Sequence, residues 1–243
     1  MSLKNYSQKK VRKERNKWKV LSADEYEARE RHVEKIMSSD KTPESLGTVR
    51  ITAGKAKNFR LEIPRKTRAL TDRMKTRIFD ILRDDIVGLA VLDLYAGSGS
   101  FGLEALSRGA ENATFVDAAK GAEKILNENF AKTGFLTQAE AVRMKVEDFL
   151  SNQKESKSYY ELIFIDPPYK LYNKKDHRKI NKILEDAAHL LPGFNDPNTK
   201  LFKGVLILKH PTEYDVSRLR VYGIRLLESF GFGVNTISFY VVD

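Results

Sequence analysis

Four consecutive residues, Asp166-Pro167-Pro168-Tyr169, place a carboxylate, two rigid backbone positions and an aromatic ring at the end of an apolar run. These groups suit the exocyclic amine of a nucleobase, which is a poor nucleophile because its lone pair is delocalised into the ring. Hydrogen bonds to the Asp166 carboxylate and the Pro167 carbonyl would localise that lone pair, and Tyr169 could stack on a flipped base. The alternative is that these four residues have no chemical role and only end the strand rigidly, because proline has no N–H to donate to a neighbouring strand.

A glycine-rich stretch, Gly97-Ser98-Gly99-Ser100-Phe101-Gly102, follows the strand-like run VLDLYA and precedes a predicted helix. This G-x-G-x-x-G pattern in a strand–turn–helix context is typical of nucleotide-binding loops. Asp117 ends the next predicted strand, 20 residues after Gly97, where a carboxylate can accept hydrogen bonds from the hydroxyls of a ribose. A bare tight turn is the alternative explanation for the glycines.

Asp93 distinguishes between two classes of nucleotide ligand. It lies four residues before Gly97 in an otherwise apolar strand, where a carboxylate costs free energy unless it is paired. Beside the pyrophosphate of NAD, Asp93 would repel the ligand. S-adenosylmethionine (SAM) instead offers a ribose for Asp117 and two cationic groups, its sulfonium and its α-ammonium. The pattern therefore favours SAM as the cofactor over a nicotinamide dinucleotide, and the chemistry needs no metal.

The elements that must position these residues alternate regularly, which predicts an α/β fold with a mostly parallel sheet. Strands are predicted over 89–96, 113–117, 141–144, 160–166 and 204–209, and helices over 99–108, 119–132, 146–152 and 174–190. Two strand-like runs within 218–242 have no helix between them and predict a closing antiparallel hairpin. Since ligands of such sheets bind where the strand order reverses, the strand that ends at Asp166 is expected beside the Asp93 strand.

The N-terminal part of the chain has a different character. Residues 1–20 hold eight Lys or Arg and one Glu, and a charged helix is predicted over 23–38, followed by a linker over 40–47. Two short strands are predicted around a turn at Ala53-Gly54-Lys55, and a helix from Thr71, its capping residue, to Leu82. The predicted organisation is a basic extension over 1–47 and one domain over 48–243, which opens with a hairpin segment over 48–70.

The bulk composition fits a globular chain with a polyanionic partner. The 243 residues carry 43 Lys and Arg against 33 Asp and Glu, a net charge of +10. Nucleic acid is one partner that this charge predicts, and a solvated lysine-rich surface is the alternative. The absence of cysteine excludes disulfides and thiolate metal sites. The sequence contains no run of about 20 apolar residues, so no membrane partner is expected, and we expect a cytoplasmic monomer.

The sequence resembles bacterial 16S ribosomal RNA guanine-N2 methyltransferases of the RsmD type over roughly 48–243. The resemblance is carried by VRITAGKAKNFRL (49–61), TRALTDRMKTRIFDIL (67–82), DLYAGSGSFGLEALSRGA (93–110), DPPY (166–169) and GVNTISFY (233–240). It implies a Rossmann-like SAM-dependent methyltransferase fold, a mostly parallel seven-stranded sheet after a small N-terminal β-hairpin. It also implies methyl transfer to one guanine of 16S rRNA in the small ribosomal subunit or its assembly intermediate.

The resemblance also implies roles for individual residues. Those implied to bind SAM are Asp93, Gly97, Gly99 and Asp117, with Asp148 near the position that faces the adenine, where this chain has Lys145 instead of an Asp. The residues implied to hold the guanine are Asp166, Pro167 and Tyr169, and those implied to contact RNA or close over the site are Arg68, Thr71, Asp72, Arg73, Lys75 and Pro168. The basic extension is outside the family pattern. We expect residues 1–20 to add affinity for RNA without selecting the base.

Two further functions are compatible with the same motifs. Methyltransferases that act on adenine N6 or cytosine N4, in DNA or in another RNA, use the same Asp-Pro-Pro-Tyr chemistry. A nucleic-acid-binding protein with an inactive methyltransferase fold is the second alternative, although the intact quartet from Asp166 to Tyr169 argues against it.

Overall fold

The computed structural model describes residues 45–64, 70–153, 159–172, 177–192 and 204–242, all within the compact unit Lys41–Asp243. The predicted helix over 23–38 and the candidate RNA contact Arg68 lie outside these residues. The linker predicted over 40–47 is too long, because the first strand already begins at Ser45, which pairs with Pro64.

The strands of the described residues form two sheets. Strands β1 (Ser45–Arg50) and β2 (Arg60–Pro64) form the antiparallel hairpin predicted at the start of the domain. The larger sheet contains β3 (Ala90–Leu94), β4 (Asn112–Val116), β5 (Ala139–Val142), β6 (Leu162–Ile165), β7 (Val205–Pro211), β8 (Ile224–Phe232) and β9 (Asn235–Val242). Its order is β5-β4-β3-β6-β7-β9-β8, with β9 antiparallel to both of its neighbours. The mostly parallel seven-stranded sheet and its closing hairpin are thus confirmed.

The helices fall where the alternation predicts them, with shifted ends. They are α1 (Asp72–Leu82), α2 (Ser100–Ser107), α3 (Ala122–Thr133), α4 (Val146–Gln153) and α5 (Arg178–Ala188). The Thr71 side chain accepts a hydrogen bond from the Met74 N–H at 3.3 Å, which confirms Thr71 as the cap of α1. Over the described ranges, no helix combines the length and apolar character needed to cross a membrane.

Helices cover both faces of the central strands, which explains their apolar sequences. Every residue of β6 is buried, as is every residue of β3 except the first. On one face the Phe101 ring stacks on Phe164 with centroids 4.2 Å apart, and on Phe79 at 5.3 Å. These three rings belong to α2, β6 and α1, so they fix α1 against the end of the sheet that carries Asp166.

A buried carboxylate fastens the loop of the N-terminal hairpin to the helix that follows the glycine loop. Glu104 in α2 is fully buried and accepts hydrogen bonds from the Thr52 N–H at 2.7 Å, the Thr52 hydroxyl at 2.6 Å and the Ala53 N–H at 3.0 Å. Arg108 Nε lies 3.0 Å from the same carboxylate and Lys75 Nζ lies 3.5 Å from it. Glu104, the Glu of the sequence GLEALSRG, therefore has a structural role, because it joins the hairpin loop to α2.

The turn of the hairpin makes a second contact with α2. The Ser107 hydroxyl accepts from the Ala56 N–H at 2.9 Å and donates to the Ala53 carbonyl at 2.5 Å. Gly54 lies so close that a Cβ on it would sit 1.8 Å from the Ser107 carbonyl oxygen, and its φ is +81°. Glycine is therefore required here by contact as well as by backbone conformation.

Candidate active site

The switch point of the large sheet brings the two predicted motifs together. Strand β3 lies between β4 and β6 and is parallel to both. Asp93 is directly paired with Phe164 and Leu94 with Ile165, and the Asp166 N–H donates to the Leu94 carbonyl at 3.3 Å. The strand that ends at Asp166 therefore lies beside the Asp93 strand, as predicted, and both end at the same edge.

Asp93 is buried beneath the glycine loop. It is 2% exposed, and its carboxylate accepts a hydrogen bond from the Gly102 N–H at 3.0 Å. Burial raises the pKa of Asp93 well above its usual value, the Gly102 N–H opposes this shift, and the negative charges of Asp166 and Asp117 raise it further. The charges of Asp117 and Asp166 thus both act on the buried Asp93 carboxyl, and a cation beside Asp93 would be favoured.

Asp117 is tied to the same loop. Its Oδ2 atom accepts from the Gly97 N–H at 2.8 Å and its Oδ1 atom accepts from the Ala119 N–H at 2.8 Å. Asp117 is partly exposed, and each carboxylate oxygen keeps a second lone pair for another donor. The geometry fixes the orientation of the carboxylate and leaves it able to receive the hydroxyls of a ribose.

The glycines of the loop serve conformation and packing. Gly97 and Gly99 have φ values of +55° and +72°, and Gly99 immediately precedes α2. A Cβ on Gly102 would lie 2.4 Å from the Phe115 ring of β4, so this glycine allows α2 to approach the sheet closely. The tight loop at the edge of the sheet is what a nucleotide needs in order to approach the backbone.

The carboxylate of Asp166 is held by a lysine that the sequence analysis did not single out. Lys209 Nζ donates to Asp166 Oδ1 at 2.6 Å and to Oδ2 at 2.8 Å, and the Lys209 side chain is only 7% exposed. The Tyr172 hydroxyl donates to the Lys209 carbonyl at 2.5 Å. Burial raises the pKa of Tyr172 well above its usual value, and the neighbouring charge of Asp166 adds to the shift. Asp166 is thus an oriented carboxylate with a neutralising cation beside it.

The rest of the Asp-Pro-Pro-Tyr segment turns outward from the sheet. Pro167 is buried and Pro168 is exposed, and Tyr169 begins a 3₁₀ turn over Tyr169–Leu171. The Tyr169 hydroxyl donates to the side-chain oxygen of Asn235 at the start of β9. This bond fixes one edge of the ring, which remains half-buried. Neither the Pro167 carbonyl as an acceptor nor the Tyr169 ring as a stacking surface is tested by these contacts, and both stay predictions.

Of the RNA contacts predicted at the start of α1, Thr71 and Arg73 are exposed, whereas Lys75 is buried. Thr71 is exposed and uses its side chain as the helix cap, whereas the Arg73 guanidinium lies over the Phe232 ring, 5.9 Å from its centroid. Lys75 is fully buried, donates to the Arg50 carbonyl and lies beside Glu104. Burial lowers the pKa of Lys75, while Glu104 and Asp72 oppose that shift. In this structure Lys75 therefore holds the fold together and does not face RNA.

A second acidic residue, Glu147, lies beside the predicted adenine contact Asp148. Asp148 is exposed in the first turn of α4, but it is the neighbouring Glu147 that acts on the loop after β3. Burial raises the pKa of the Tyr95 hydroxyl, and the negative charge of Glu147 raises it further. Tyr95 also has a φ of +62°, a rare value for a residue with a side chain. Glu147 and Tyr95 therefore join the candidate cofactor site, whereas Asp148 is left as a prediction.

One of these residues, Lys209, could have been found from the sequence. Lys209 ends the apolar run VLIL, where a buried charge requires a partner by the same reasoning that singled out Asp93. Tyr95 and Asn235 carry no such pattern, because their roles depend on backbone conformation and on a contact with a distant segment. Among the described residues, no group of three His, Asp or Glu side chains could hold a metal ion.

Comparison with known proteins places the chain in a family. A protein-family model described as Conserved hypothetical protein 95 matches residues 49–202. The chain belongs to this family, the RsmD type. Over 136 residues, the chain is 35% identical to the ribosomal RNA small subunit methyltransferase D of Haemophilus influenzae. The match covers 55% of this chain and 70% of that protein.

Two further relatives support the same assignment. The protein of the same name from Escherichia coli K12 is 34% identical over 128 residues, which are 51% of this chain and 62% of that protein. The solved structure of a hypothetical protein from Thermus thermophilus is 29% identical, with a TM-score of 0.61, and the match covers 79% of this chain and 98% of that one. The resemblance and the Rossmann-like methyltransferase fold predicted for this RsmD-type chain are confirmed.

Proposed function

We propose that this RsmD-type chain transfers a methyl group from SAM to the exocyclic N2 amine of a guanine in 16S rRNA, on the small ribosomal subunit or an assembly intermediate. The single observation that carries the proposal is the position of Asp166. It lies at the switch point, one strand away from Asp93, and begins the rigid turn that carries Tyr169. The names of the relatives, small-subunit rRNA methyltransferases, support RNA as the substrate.

The residues at the sheet edge fit SAM as the cofactor. The negative charge of Asp117 makes the buried Asp93 carboxyl harder to ionise, and a bound cation would stabilise the Asp93 carboxylate. Asp117 would receive the ribose hydroxyls, and the backbone of Gly97 and Gly99 would allow the nucleoside to lie against the loop. When bound, SAM supplies a methyl group attached to a positively charged sulfur.

The chain's own residues would then prepare the amine. The Asp166 carboxylate would accept a hydrogen bond from N2, while Lys209 keeps both carboxylate oxygens in place. The Pro167 carbonyl is the proposed second acceptor. As N2 takes the methyl group, the bond between sulfur and the methyl carbon would break and positive charge would pass to nitrogen, where the fixed carboxylate stabilises it without reorganisation. N2 would then release one proton to solvent, and S-adenosylhomocysteine would be the leaving group. The Tyr169 ring, braced by Asn235, is the proposed stacking surface for the base.

The direct test uses the full chain, SAM labelled on its methyl group and 30S particles from a strain that lacks the RsmD-type enzyme. Label is expected in N2-methylguanosine at one position of 16S rRNA, identified by nuclease digestion and mass spectrometry. Label in N6-methyladenosine or N4-methylcytosine would refute the guanine assignment and favour the alternative amino-methyltransferase. SAM binding with no label in any RNA or DNA would favour the inactive binding protein.

Replacing Asp117 with alanine is expected to weaken SAM binding while leaving RNA affinity unchanged. A charge-assisted hydrogen bond contributes roughly 1.5–3 kcal/mol, so the loss of one ribose contact should raise the Kd for SAM about tenfold or more. Isothermal titration calorimetry measures this, with Asp117→Asn as the matched variant that keeps an oxygen acceptor. An unchanged Kd for SAM in Asp117→Ala would show that the ribose lies elsewhere.

The raised pKa of Asp93 predicts that SAM binding depends on pH. An acid with a raised pKa retains its proton to higher pH, and a bound cation favours its ionised form. Binding should therefore release a proton, and SAM affinity should fall as the pH falls through the pKa of free Asp93. Calorimetry in two buffers of different ionisation enthalpy measures the released proton. Equal apparent enthalpies in both buffers would contradict the predicted release of a proton.

A further inference from the structure

A groove beside the candidate active site has the chemistry of a single-stranded RNA surface. Its volume is about 460 Å³, and its walls include Arg73, Arg77, Asp80, Phe230, Gly231 and Phe232. The charged residues come from the outer face of α1 and the aromatic residues from the end of β8. The groove is distinct from the glycine loop and from the Asp166–Lys209 pair.

Each arginine of the groove lies over an aromatic ring. The Arg77 guanidinium is 4.2 Å from the Phe230 centroid, and the Arg73 guanidinium is 5.9 Å from the Phe232 centroid. Stacking on a ring face restricts a guanidinium without using its N–H groups, which remain directed outward from its edge. The arginines are exposed and the rings are half-buried, so a base that stacks on a ring would take the place of the guanidinium, which would move to a neighbouring phosphate.

The groove leads to the residue on which the target base would stack. Phe232 pairs directly with Asn235 across the β8–β9 hairpin, and Asn235 accepts the hydrogen bond from Tyr169. Arg73 and Arg77 are four residues apart and so share one face of α1, while Lys75 of the same helix is directed into the protein. A chain that enters at Tyr169 can therefore continue over Phe232 towards Phe230.

We propose that this groove binds one or two unpaired nucleotides that flank the methylated base, with bases against Phe230 and Phe232 and phosphates at Arg73 and Arg77. Aromatic rings interleaved with arginines are the usual means of holding single-stranded RNA, because bases stack and phosphates accept bidentate hydrogen bonds. Asp80 at the far end disfavours a phosphate there but can accept from a base N–H. The inference rests on the proposed function in that it takes RNA as the substrate.

The test measures RNA binding by the full chain without turnover. The probe is a fluorescein-labelled, 12-nucleotide single-stranded RNA of mixed sequence, titrated by anisotropy at several salt concentrations. Phe230→Leu should weaken binding about 5- to 100-fold with an unchanged salt slope, since stacking contributes about 1–3 kcal/mol per base. Arg77→Gln should weaken binding and flatten the salt slope by about 0.7, the value for one phosphate contact on a single strand.

Arg225→Gln is the matched control, because Arg225 is exposed on the same strand but lies outside the groove. It should retain the affinity and slope of the unmodified chain, and all three variants should bind SAM normally. Unchanged RNA affinity and slope in both groove variants would overturn the proposal, and would then favour a protein partner for this surface. A wrong guanine assignment would be distinguishable from a wrong RNA groove. The first would show in the identity of the methylated nucleotide, whereas the second would show in these RNA affinities.

Discussion

Asp166→Ala is expected to lower the turnover number about 10²–10³-fold, the usual effect of removing one group that stabilises charge in a transition state. The effect should fall on turnover and not on SAM affinity, because Asp166 is proposed to act on the amine of the base. Single-turnover methylation of 30S particles measures the rate, and calorimetry measures SAM binding. A turnover number close to that of the unmodified enzyme would refute the proposed role of Asp166.

Two controls separate chemistry from folding. Asp166→Ala leaves Lys209 with its ammonium 7% exposed and without this carboxylate, so some loss of stability is expected. The double variant Asp166→Ala/Lys209→Met removes both charges and should recover stability, measured by urea unfolding, while turnover stays low. If the double variant recovered turnover together with stability, the defect of Asp166→Ala would be one of folding alone.

The sequence predicts the centre of the fold well because charged residues interrupt otherwise apolar runs there. Asp93 and Asp166 mark the ends of two buried strands, and the reversal of strand order at a switch point requires those ends to be neighbours. The glycine pattern likewise places α2, since Gly102 must accept the close approach of Phe115. Buried charges and loop glycines of this kind depend on local sequence. Because each would be unfavourable without a specific structural role, the sequence alone indicates that role.

Predictions were less accurate where the deciding interaction is distant or the element is half-exposed. Strand β5 lies at the edge of the sheet with most of its residues partly exposed, so it has little hydrophobic pattern to fix its position, and it begins two residues earlier than predicted. The resemblance implies that Lys75 contacts RNA or closes over the site, but Glu104, distant in the sequence, provides it with a buried counter-charge. A sequence pattern along one helix cannot show that partner.

Replacement of Lys209 should test whether its ammonium keeps the Asp166 carboxylate ionised. Lys209→Met removes a cation 2.6 Å from Asp166, whose side chain is only 17% exposed and whose charge acts on Asp93 and Tyr172. Breaking a buried ion pair costs about 3–5 kcal/mol. We expect a loss of about 3 kcal/mol at neutral pH, at the lower end of that range, since Asp166 retains some solvent.

Removal of the Lys209 ammonium also determines how the stability of Lys209→Met depends on pH. Without the ammonium, the partly buried carboxylate is harder to ionise, so the pKa of Asp166 in the folded variant should rise above its value in the unfolded chain. The penalty therefore exists where Asp166 is ionised and should disappear as the pH falls through the raised pKa. Urea unfolding of Lys209→Met at several pH values should show the stability deficit narrowing towards acid pH.

Turnover should respond in the opposite direction, because the proposed mechanism needs Asp166 ionised. The acid limb of the turnover–pH profile should move to higher pH in Lys209→Met, with the KM for SAM little changed. Lys209→Arg keeps a cation at the carboxylate and is the matched control, which should retain the original acid limb. A residue that only supported the fold would lower stability without moving that limb, so an unshifted profile in a folded Lys209→Met enzyme would exclude Lys209 as the group that keeps Asp166 charged.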